Sequence, residues 1–265
     1  MAGNVPALLG AGLLGLLLGS FLNVCIVRLP HESPSDRSLI RPPSSCPKCK
    51  HLIQWRDNVP IVSWLLLHGN CRWCGAPISR QYPLIEALVG LLWVSAVATY
   101  GVSARALAAG LFGTDLLGIA IIDWRHKIIP DELSYGGMVL GLALSLAGGA
   151  AGFAQAVLGA AAGWTVLWVV RTVGGWVLKQ EAMGMGDVKM MAMVGAFVGW
   201  KNTLLTVFVG ALVGSVVYVP LLLGDLRSMR RHEIPFGVFL AIGAAITFVA
   251  GDSIISWYLQ FLHGS

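Results

Sequence analysis

The chain has 265 residues, of which 56% are apolar and only 12% are charged. Because soluble domains carry about 25% charged residues, this composition excludes an ordinary soluble domain and indicates an integral membrane protein. The net charge is +5, but the basic residues are split among several loops and form no aromatic–basic platform. We therefore expect no nucleic-acid partner.

Eight stretches of the chain are predicted to cross a membrane, since a helix of about 20 apolar residues spans a bilayer. The sequence thus predicts an all-α, polytopic membrane helical bundle with about eight transmembrane helices and one small polar domain. Residues 1–27 lack a basic start and a polar cleavage region, which indicates a first span rather than a cleaved signal peptide. The predicted spans are 5–27, 82–100, 104–122, 133–149, 153–177, 187–199, 202–223 and 236–262.

The basic residues predict the orientation of these spans. Most Lys and Arg residues fall in segments that an eight-span chain places on one side, and only Arg105 and Lys201 fall on the other. By the positive-inside rule the first side is cytoplasmic and both termini are periplasmic. The segments on the cytoplasmic side are 28–81, 125–127, 171–189 and 227–231.

The first span contains small residues and one polar side chain. Gly15, Gly19 and Ser20 suit close packing against another helix. Asn23 lies near the inner face and is expected to form an interhelical hydrogen bond. Cys25 is interpreted as a small buried apolar residue.

Residues 28–81 carry two Cys-x-x-Cys pairs, Cys46-Pro47-Lys48-Cys49 and Cys71-Arg72-Trp73-Cys74, with 21 residues between them. Such pairs predict a zinc site with four thiolate ligands, and four protein ligands indicate a structural role because no position stays open for catalysis. A polar segment of this size has little core and needs such a cross-link. Disulfides are the alternative, and a reducing cytosol argues against them.

The second span begins at Tyr82 and Pro83, which suit a membrane interface and the first turn of a helix. Glu86 follows in that turn. The helix dipole explains an acid there, and a pairing role within the bilayer is the alternative.

Asp123 ends the third span, where the dipole of a helix C-terminus disfavours a negative charge. A structural explanation therefore fails for this residue. Asp131 and Glu132 follow Pro130 in the favourable first turn of the next helix, and we interpret them as structural. Asp115 lies about two turns deeper in the membrane than Asp123 and has no evident partner.

The stretch Gly184-Met185-Gly186-Asp187-Val188-Lys189 opens the sixth span. Its glycines allow other backbone to come close, and an ionisable residue at a membrane-helix end is a functional candidate. Two alternatives stay open. Asp187 is either a helix cap or a catalytic acid, and Lys189 either tunes Asp187 or extends to the lipid headgroups.

The predicted topology brings Asp123 and Asp187 to the cytoplasmic ends of two helices, at one depth. Two close carboxylates that share a proton are the working groups of an aspartic protease. We predict these two as catalytic, supported by Gly184, Gly186 and Lys189. The helix dipoles suggest the hypothesis that Asp123 holds the proton and Asp187 is ionised.

Taken together, these motifs resemble the type IV prepilin peptidases. The resemblance covers nearly the whole chain and includes Gly19–Val24, Arg28-Leu29-Pro30, both cysteine pairs and Tyr82-Pro83 with Glu86. It continues through Asp123, Ile129-Pro130-Asp131, Gly184–Lys189 and Pro235-Phe236-Gly237.

The resemblance implies a bifunctional enzyme of the bacterial inner membrane. Such enzymes cleave the basic leader from type IV prepilins or type II secretion pseudopilins after a glycine, on the cytoplasmic side. They then methylate the new N-terminal residue with S-adenosylmethionine. It implies catalysis by Asp123 and Asp187, zinc on Cys46, Cys49, Cys71 and Cys74, and a methyl-donor site near the cytoplasmic domain and the first span.

Where many members of the family have Arg, this chain has Gln81, and Val238 stands where a second Pro is frequent. The predicted domains are a first helix (1–27), a methyltransferase-associated zinc domain (28–81) and a peptidase domain (82–265). The alternatives are a peptidase of the same family with another substrate or without methyl transfer, and a non-enzymatic zinc-binding scaffold or transporter. The sequence predicts no oligomeric state.

Overall fold

The structure is a computed structural model that describes residues 5–181, 183–224 and 235–262. Over these residues it contains helices and two isolated β-bridges, and no strand. The all-α prediction is therefore confirmed. The helices are α1 (Val5–Arg28), α2 (Pro34–Arg37), α3 (Val62–Leu66), α4 (Gln81–Tyr100), α5 (Ala104–His126), α6 (Asp131–Ser145), α7 (Gly149–Leu178), α8 (Met185–Gly224) and α9 (Phe236–Leu262).

Six continuous helical segments of the described chain are long and apolar enough to cross a membrane. This count agrees with about eight spans because two of the segments each contain two predicted spans. Helices α6 and α7 follow each other through the 3-10 turn Leu146–Gly148. Helix α8 breaks at Gly199, whose φ of 74° and ψ of 167° belong to a region that essentially only glycine adopts.

The chain forms two compact units, Met1–Thr114 and Asp115–Ser265. In the first unit, α1 packs directly on α4. A Cβ at Gly15 would lie 2.8 Å from the Cα of Gly90, and one at Gly19 would lie 2.8 Å from the Cα of Glu86. The predicted small-residue packing of the first span is thus confirmed.

Hydrogen bonds and one ion pair order the polar segment of this unit. The Arg28 guanidinium at the end of α1 donates to the carbonyls of Ser38 and Pro42, at 2.6 and 2.7 Å. Arg72 pairs with Asp57 through two of its nitrogens, with a shortest N···O distance of 2.6 Å, and lowers the pKa of that carboxyl below its usual range. These bonds tie the segment together where apolar core is scarce.

In the second unit, α8 packs against α6, α7 and α9. Helices α7 and α8 approach through facing glycines, because Gly159 lies against Gly195 and Gly163 lies against the carbonyl of Met191. With no side chains between them, the two backbones touch. The start of α8, which carries Asp187, is therefore anchored in the middle of this unit.

Candidate active site and metal centre

Asp123 and Asp187 come together in the second unit. Asp123 lies in the last turn of α5 and is 5% exposed, and Asp187 lies in the first turn of α8. The two carboxylates are close enough to repel each other electrostatically. The structure thus brings together the two acids that the sequence singled out, from helices that are about 60 residues apart along the chain.

The N-terminus of α9 points at Asp123. The backbone N–H of Val238 donates to Asp123 Oδ2 at 3.1 Å, and the N–H of Gly237 also donates to this carboxyl. Asp123 therefore lies between the C-terminus of α5 and the N-terminus of α9, whose dipoles act in opposite directions on a negative charge. The dipole of α5, which the sequence-based hypothesis used, does not by itself decide which acid holds the proton.

The side chain of Ile129 packs between two glycines beside the acids. A Cβ at Gly186 would lie 3.0 Å from Ile129 Cβ, and one at Gly237 would lie 2.8 Å from Ile129 Cδ1 and 2.9 Å from Asp123 Oδ2. The N–H of Gly184 donates to the carboxyl of Asp187. The glycines therefore let three chain segments, the loop after α5 and the starts of α8 and α9, meet around the acid pair.

Lys189 points toward α6. Its Nζ lies 2.8 Å from both carboxyl oxygens of Asp131 and 5.4 Å from the centre of the Tyr135 ring. Lys189 thus ties the first turn of α8 to the first turn of α6. The sequence did not indicate this contact with Asp131.

Asp115 is not part of the acid pair. Its Oδ2 is buried without a hydrogen-bond partner. A Cβ added to Gly137 would lie 2.6 Å from this oxygen and would also contact the Met193 side chain. A buried acid needs a partner, and the described residues supply none for that oxygen.

The four cysteines of the paired motifs form a cluster in the first unit. The Sγ atoms of Cys46, Cys49, Cys71 and Cys74 all lie within 4.8 Å of one another, and those of Cys46 and Cys74 are 3.8 Å apart. Tetrahedral zinc with Zn–S bonds of about 2.3 Å requires sulfur–sulfur separations of about 3.8 Å. All four cysteines are free, so the cluster fits a metal ion and not a pair of disulfides.

Both pairs use the same backbone turn. Cys46 N–H donates to His51 O, and Cys71 N–H donates to Ala76 O. In each turn the residue after the second cysteine has a positive φ, 58° at Lys50 and 68° at Gly75. Each turn therefore directs its two sulfur atoms toward the centre of the four-cysteine cluster.

The thiols of the first pair have unequal acidities. The N–H groups of Cys49 and Lys48 point at Cys46 and lower its pKa to about 6. The His51 N–H acts in the same sense on Cys49, but desolvation and the neighbouring thiols of the cluster prevail and raise its pKa to about 11. One sulfur is therefore a thiolate at neutral pH, which is the form that binds metal.

A cavity of about 750 Å³ extends from the cysteine cluster to helices α1 and α4, within the first unit. This size is typical of a small-molecule site. At one end the cavity is lined by Cys46 and Cys71, and at the other by Ser20, Asn23 and Glu86. Asn23 Nδ2 donates to the carbonyl of Tyr82 at 3.1 Å, which confirms the expected interhelical hydrogen bond.

Sequence reasoning assigned no role to the start of α9 and did not detect the cavity. The Pro235-Phe236-Gly237 motif was a signal for the former, since a Pro–x–Gly start of a helix permits a close contact. The resemblance implied a methyl-donor site near the cytoplasmic domain and the first span, but no residue pattern indicated a cavity, because its walls come from segments up to 66 residues apart, from Ser20 to Glu86.

Comparison with known proteins identifies the family. Residues 13–100 match the bacterial peptidase A24 N-terminal domain, and residues 110–219 match the type IV leader peptidase family. No solved structure matches the chain.

Several curated relatives match over nearly their whole length. A prepilin leader peptidase/N-methyltransferase from Aeromonas hydrophila is 38% identical over 93% of this chain and 92% of its own. Proteins of the same name from Xanthomonas campestris pv. campestris and Pseudomonas aeruginosa are each 37% identical over 94% of this chain, and over 93% and 92% of their own. The chain belongs to the type IV leader peptidase family.

Proposed function

We propose that this protein cleaves the leader from type IV prepilins or type II secretion pseudopilins and then N-methylates the new N-terminus. The observation that carries the proposal is the meeting of Asp123 and Asp187 between α5, α8 and α9. The names of the relatives support it, since each is a prepilin leader peptidase/N-methyltransferase.

Cleavage follows from two carboxylates that share one proton. The ionised carboxylate takes a proton from a water molecule, which attacks the scissile carbonyl. The protonated carboxyl donates its proton to the carbonyl oxygen, which gives a gem-diol. When the C–N bond breaks, the carboxyl that took a proton from water gives it to the leaving amine, and the other carboxyl takes its proton back from the gem-diol. The N–H of Gly184 holds the carboxyl of Asp187, and the N–H of Val238 holds that of Asp123. The ion pair of Lys189 with Asp131 holds the start of α8 against α6.

We propose a bacterial inner-membrane location with both termini in the periplasm. The cysteine segment 28–81 and the acid pair then face the cytoplasm, where the basic leader of a prepilin lies. The positive-inside rule supports this orientation, and the six membrane-length segments support the location.

For methyl transfer we propose that the cavity of the first unit takes S-adenosylmethionine and that zinc occupies the four-cysteine cluster. The methyl donor supplies an electrophilic methyl group. The cavity volume fits a ligand of this size. Four cysteine ligands leave zinc no open position, so its role is to hold the cavity wall formed by residues 45–77.

The proposal is tested with Asp123→Asn and Asp187→Asn in reconstituted membranes. We expect each variant to cleave prepilin at least ~100-fold more slowly, because a general acid or base is lost. Methyl transfer to a pre-cleaved pilin should continue at the wild-type rate. Glu132→Gln is the matched control, since it removes an acid from the first turn of α6 outside the pair. Cleavage at the wild-type rate by either aspartate variant would show that the pair is structural.

A further inference from the structure

The cavity of the first unit has hydrogen-bond acceptors without donors at its α1–α4 end. Asn23 is 1% exposed, and its Oδ1 has no hydrogen-bond partner. Glu86 is 6% exposed and accepts the N–H of Ile61 at 2.7 Å and a hydrogen bond from Ser20. A carboxylate offers about four acceptor positions and an amide oxygen two, so this end has unused acceptor capacity.

Basic side chains do not fill that capacity. Over the described residues, no Lys or Arg forms an ion pair with Glu86. The two arginines that line the cavity have other partners, since Arg28 binds the carbonyls of Ser38 and Pro42, and Arg72 binds Asp57. A buried carboxylate and an unsatisfied amide oxygen that line one cavity fit a ligand rich in hydrogen-bond donors.

The backbone that contacts Glu86 is held in a rare conformation. Val62 N–H donates to Pro60 O at 2.6 Å, so Ile61 is the centre of a three-residue turn with φ 61° and ψ −50°. A β-branched residue rarely adopts a positive φ, and such turns are strained. This turn directs the Ile61 N–H at Glu86, and the resulting hydrogen bond holds the carboxylate at the cavity wall.

We propose that Glu86 and Asn23 bind the free α-amino group of the methyl-acceptor peptide. An ammonium group carries three N–H donors and no acceptor, which matches the unused acceptor positions of these two side chains. The Glu86 carboxylate accepts one of these protons, which frees the nitrogen lone pair that takes the methyl group. The inference rests on the proposed methyl transfer and adds the site that holds its acceptor.

The methyl donor also carries an ammonium group, so hydrogen-bond chemistry alone does not separate it from the acceptor peptide. The depth of Asn23 and Glu86 in the membrane does. Asn23 lies five residues before the end of α1 and Glu86 five residues after the start of α4, which is about 7.5 Å inside each helix. A cleaved pilin begins with an apolar membrane segment, whereas the methyl donor is a water-soluble nucleoside. The membrane end of the cavity, beside Val24, therefore suits the peptide.

The experiment measures binding to the full-length enzyme in lipid nanodiscs, with its metal bound. The probes are a synthetic pilin N-terminal peptide with a free Phe amine, the same peptide with an acetylated amine, and S-adenosylhomocysteine. The proteins are the wild type, Glu86→Gln, Asn23→Leu and, as a matched control, Glu32→Gln, which removes an exposed acid that does not line the cavity. Bound zinc and the melting curve report the folding of each variant.

We expect the wild type and Glu32→Gln to bind the free-amine peptide about 10- to 100-fold more tightly than the acetylated peptide, as for hydrogen bonds to a charged group. Glu86→Gln should abolish most of this preference, Asn23→Leu should reduce it, and both should bind S-adenosylhomocysteine as the wild type does. If Glu86→Gln fails to fold, the Asn23→Leu result decides.

Three results would overturn the inference. The wild type could bind both peptides equally, the folded variants could keep the preference, or the variants could weaken S-adenosylhomocysteine alone, which would assign the ammonium to the methyl donor. Failure of the proposed function is separate and visible, because mass spectrometry would then detect no methylated pilin from the wild type.

Discussion

Asp123 is the residue on which two helix ends converge. The close approach of α9 depends on Gly237, since a Cβ there would lie 2.9 Å from Asp123 Oδ2 and 2.8 Å from Ile129 Cδ1. The first N–H groups of a helix lack full intrahelical bonds, and that of Val238 is shared between Pro235 O, at 3.3 Å, and Asp123 Oδ2, at 3.1 Å. This glycine therefore controls both the packing and the orientation of the Asp123 carboxyl, which we propose to be catalytic.

Gly237→Ala should slow prepilin cleavage by about 100-fold, because a displacement near 1 Å at an active site has an effect of that order. Kinetics on a prepilin substrate would measure it. Gly136→Ala on α6 is the control, since no atom lies within 4 Å of the Cβ it would add. Equal rates for both variants would contradict the positioning role of α9.

Lys189 and Asp131 form an ion pair between the starts of α8 and α6. If Lys189 acts through Asp131, Lys189→Met and Asp131→Asn should have equal effects on cleavage, and the double variant should be no worse than either one. We expect less than ~10-fold loss, because a partly exposed pair contributes about 0–1 kcal/mol. A larger loss for Lys189→Met than for Asp131→Asn would instead show a direct action on Asp187.

At the scale of helices, the close contact of α7 with α8 depends on glycines, which have no side chain to separate the two backbones. Gly159 and Gly195 face each other with backbone against backbone. In a membrane the hydrophobic effect does not drive helices together, so close van der Waals packing of small residues has to do so.

Gly159→Ala should destabilise the protein by about 1–3 kcal/mol, since its Cβ would overlap the Gly195 carbonyl. Thermal unfolding in detergent would show a lower melting temperature. Gly175→Ala on the same helix is the matched control, because its Cβ would meet its nearest atom at an ordinary 3.6 Å. A melting temperature unchanged by Gly159→Ala would show that the stability of the α7–α8 contact does not depend on this glycine.

At the scale of the whole molecule, the two units have separate cores and separate chemical groups. The cysteine cluster and the cavity belong to Met1–Thr114, and the acid pair belongs to Asp115–Ser265. Loss of the metal should therefore affect the two activities unequally.

Cys49→Ser should release the metal and abolish methyl transfer, while cleavage stays within about tenfold of the wild type. The physical reason is that structural zinc contributes roughly 10–16 kcal/mol to small domains, far more than a short polar segment supplies otherwise. Metal analysis and both assays would test this. Cys25→Ser removes a thiol outside the cluster and should keep one metal per chain. Equal loss of both activities in Cys49→Ser would show that the units depend on each other.

Sequence alone determined the spans, the cysteine cluster and the two acids, because these depend on local properties. Apolar length defines a membrane helix, Cys-x-x-Cys spacing defines a metal-binding turn, and an acid such as Asp123 at a helix C-terminus conflicts with the dipole.

Tertiary structure decided what depends on contacts between distant segments. The N-terminus of α9 donates a hydrogen bond to Asp123, more than 100 residues away along the chain. Lys189 donates to Asp131, and Asn23 donates to the carbonyl of Tyr82 in α4. A hydrogen bond is specific only at about 3 Å, and no residue pattern states which distant groups reach that distance. For the same reason the cavity and its unsatisfied acceptors appear only once the helices are packed.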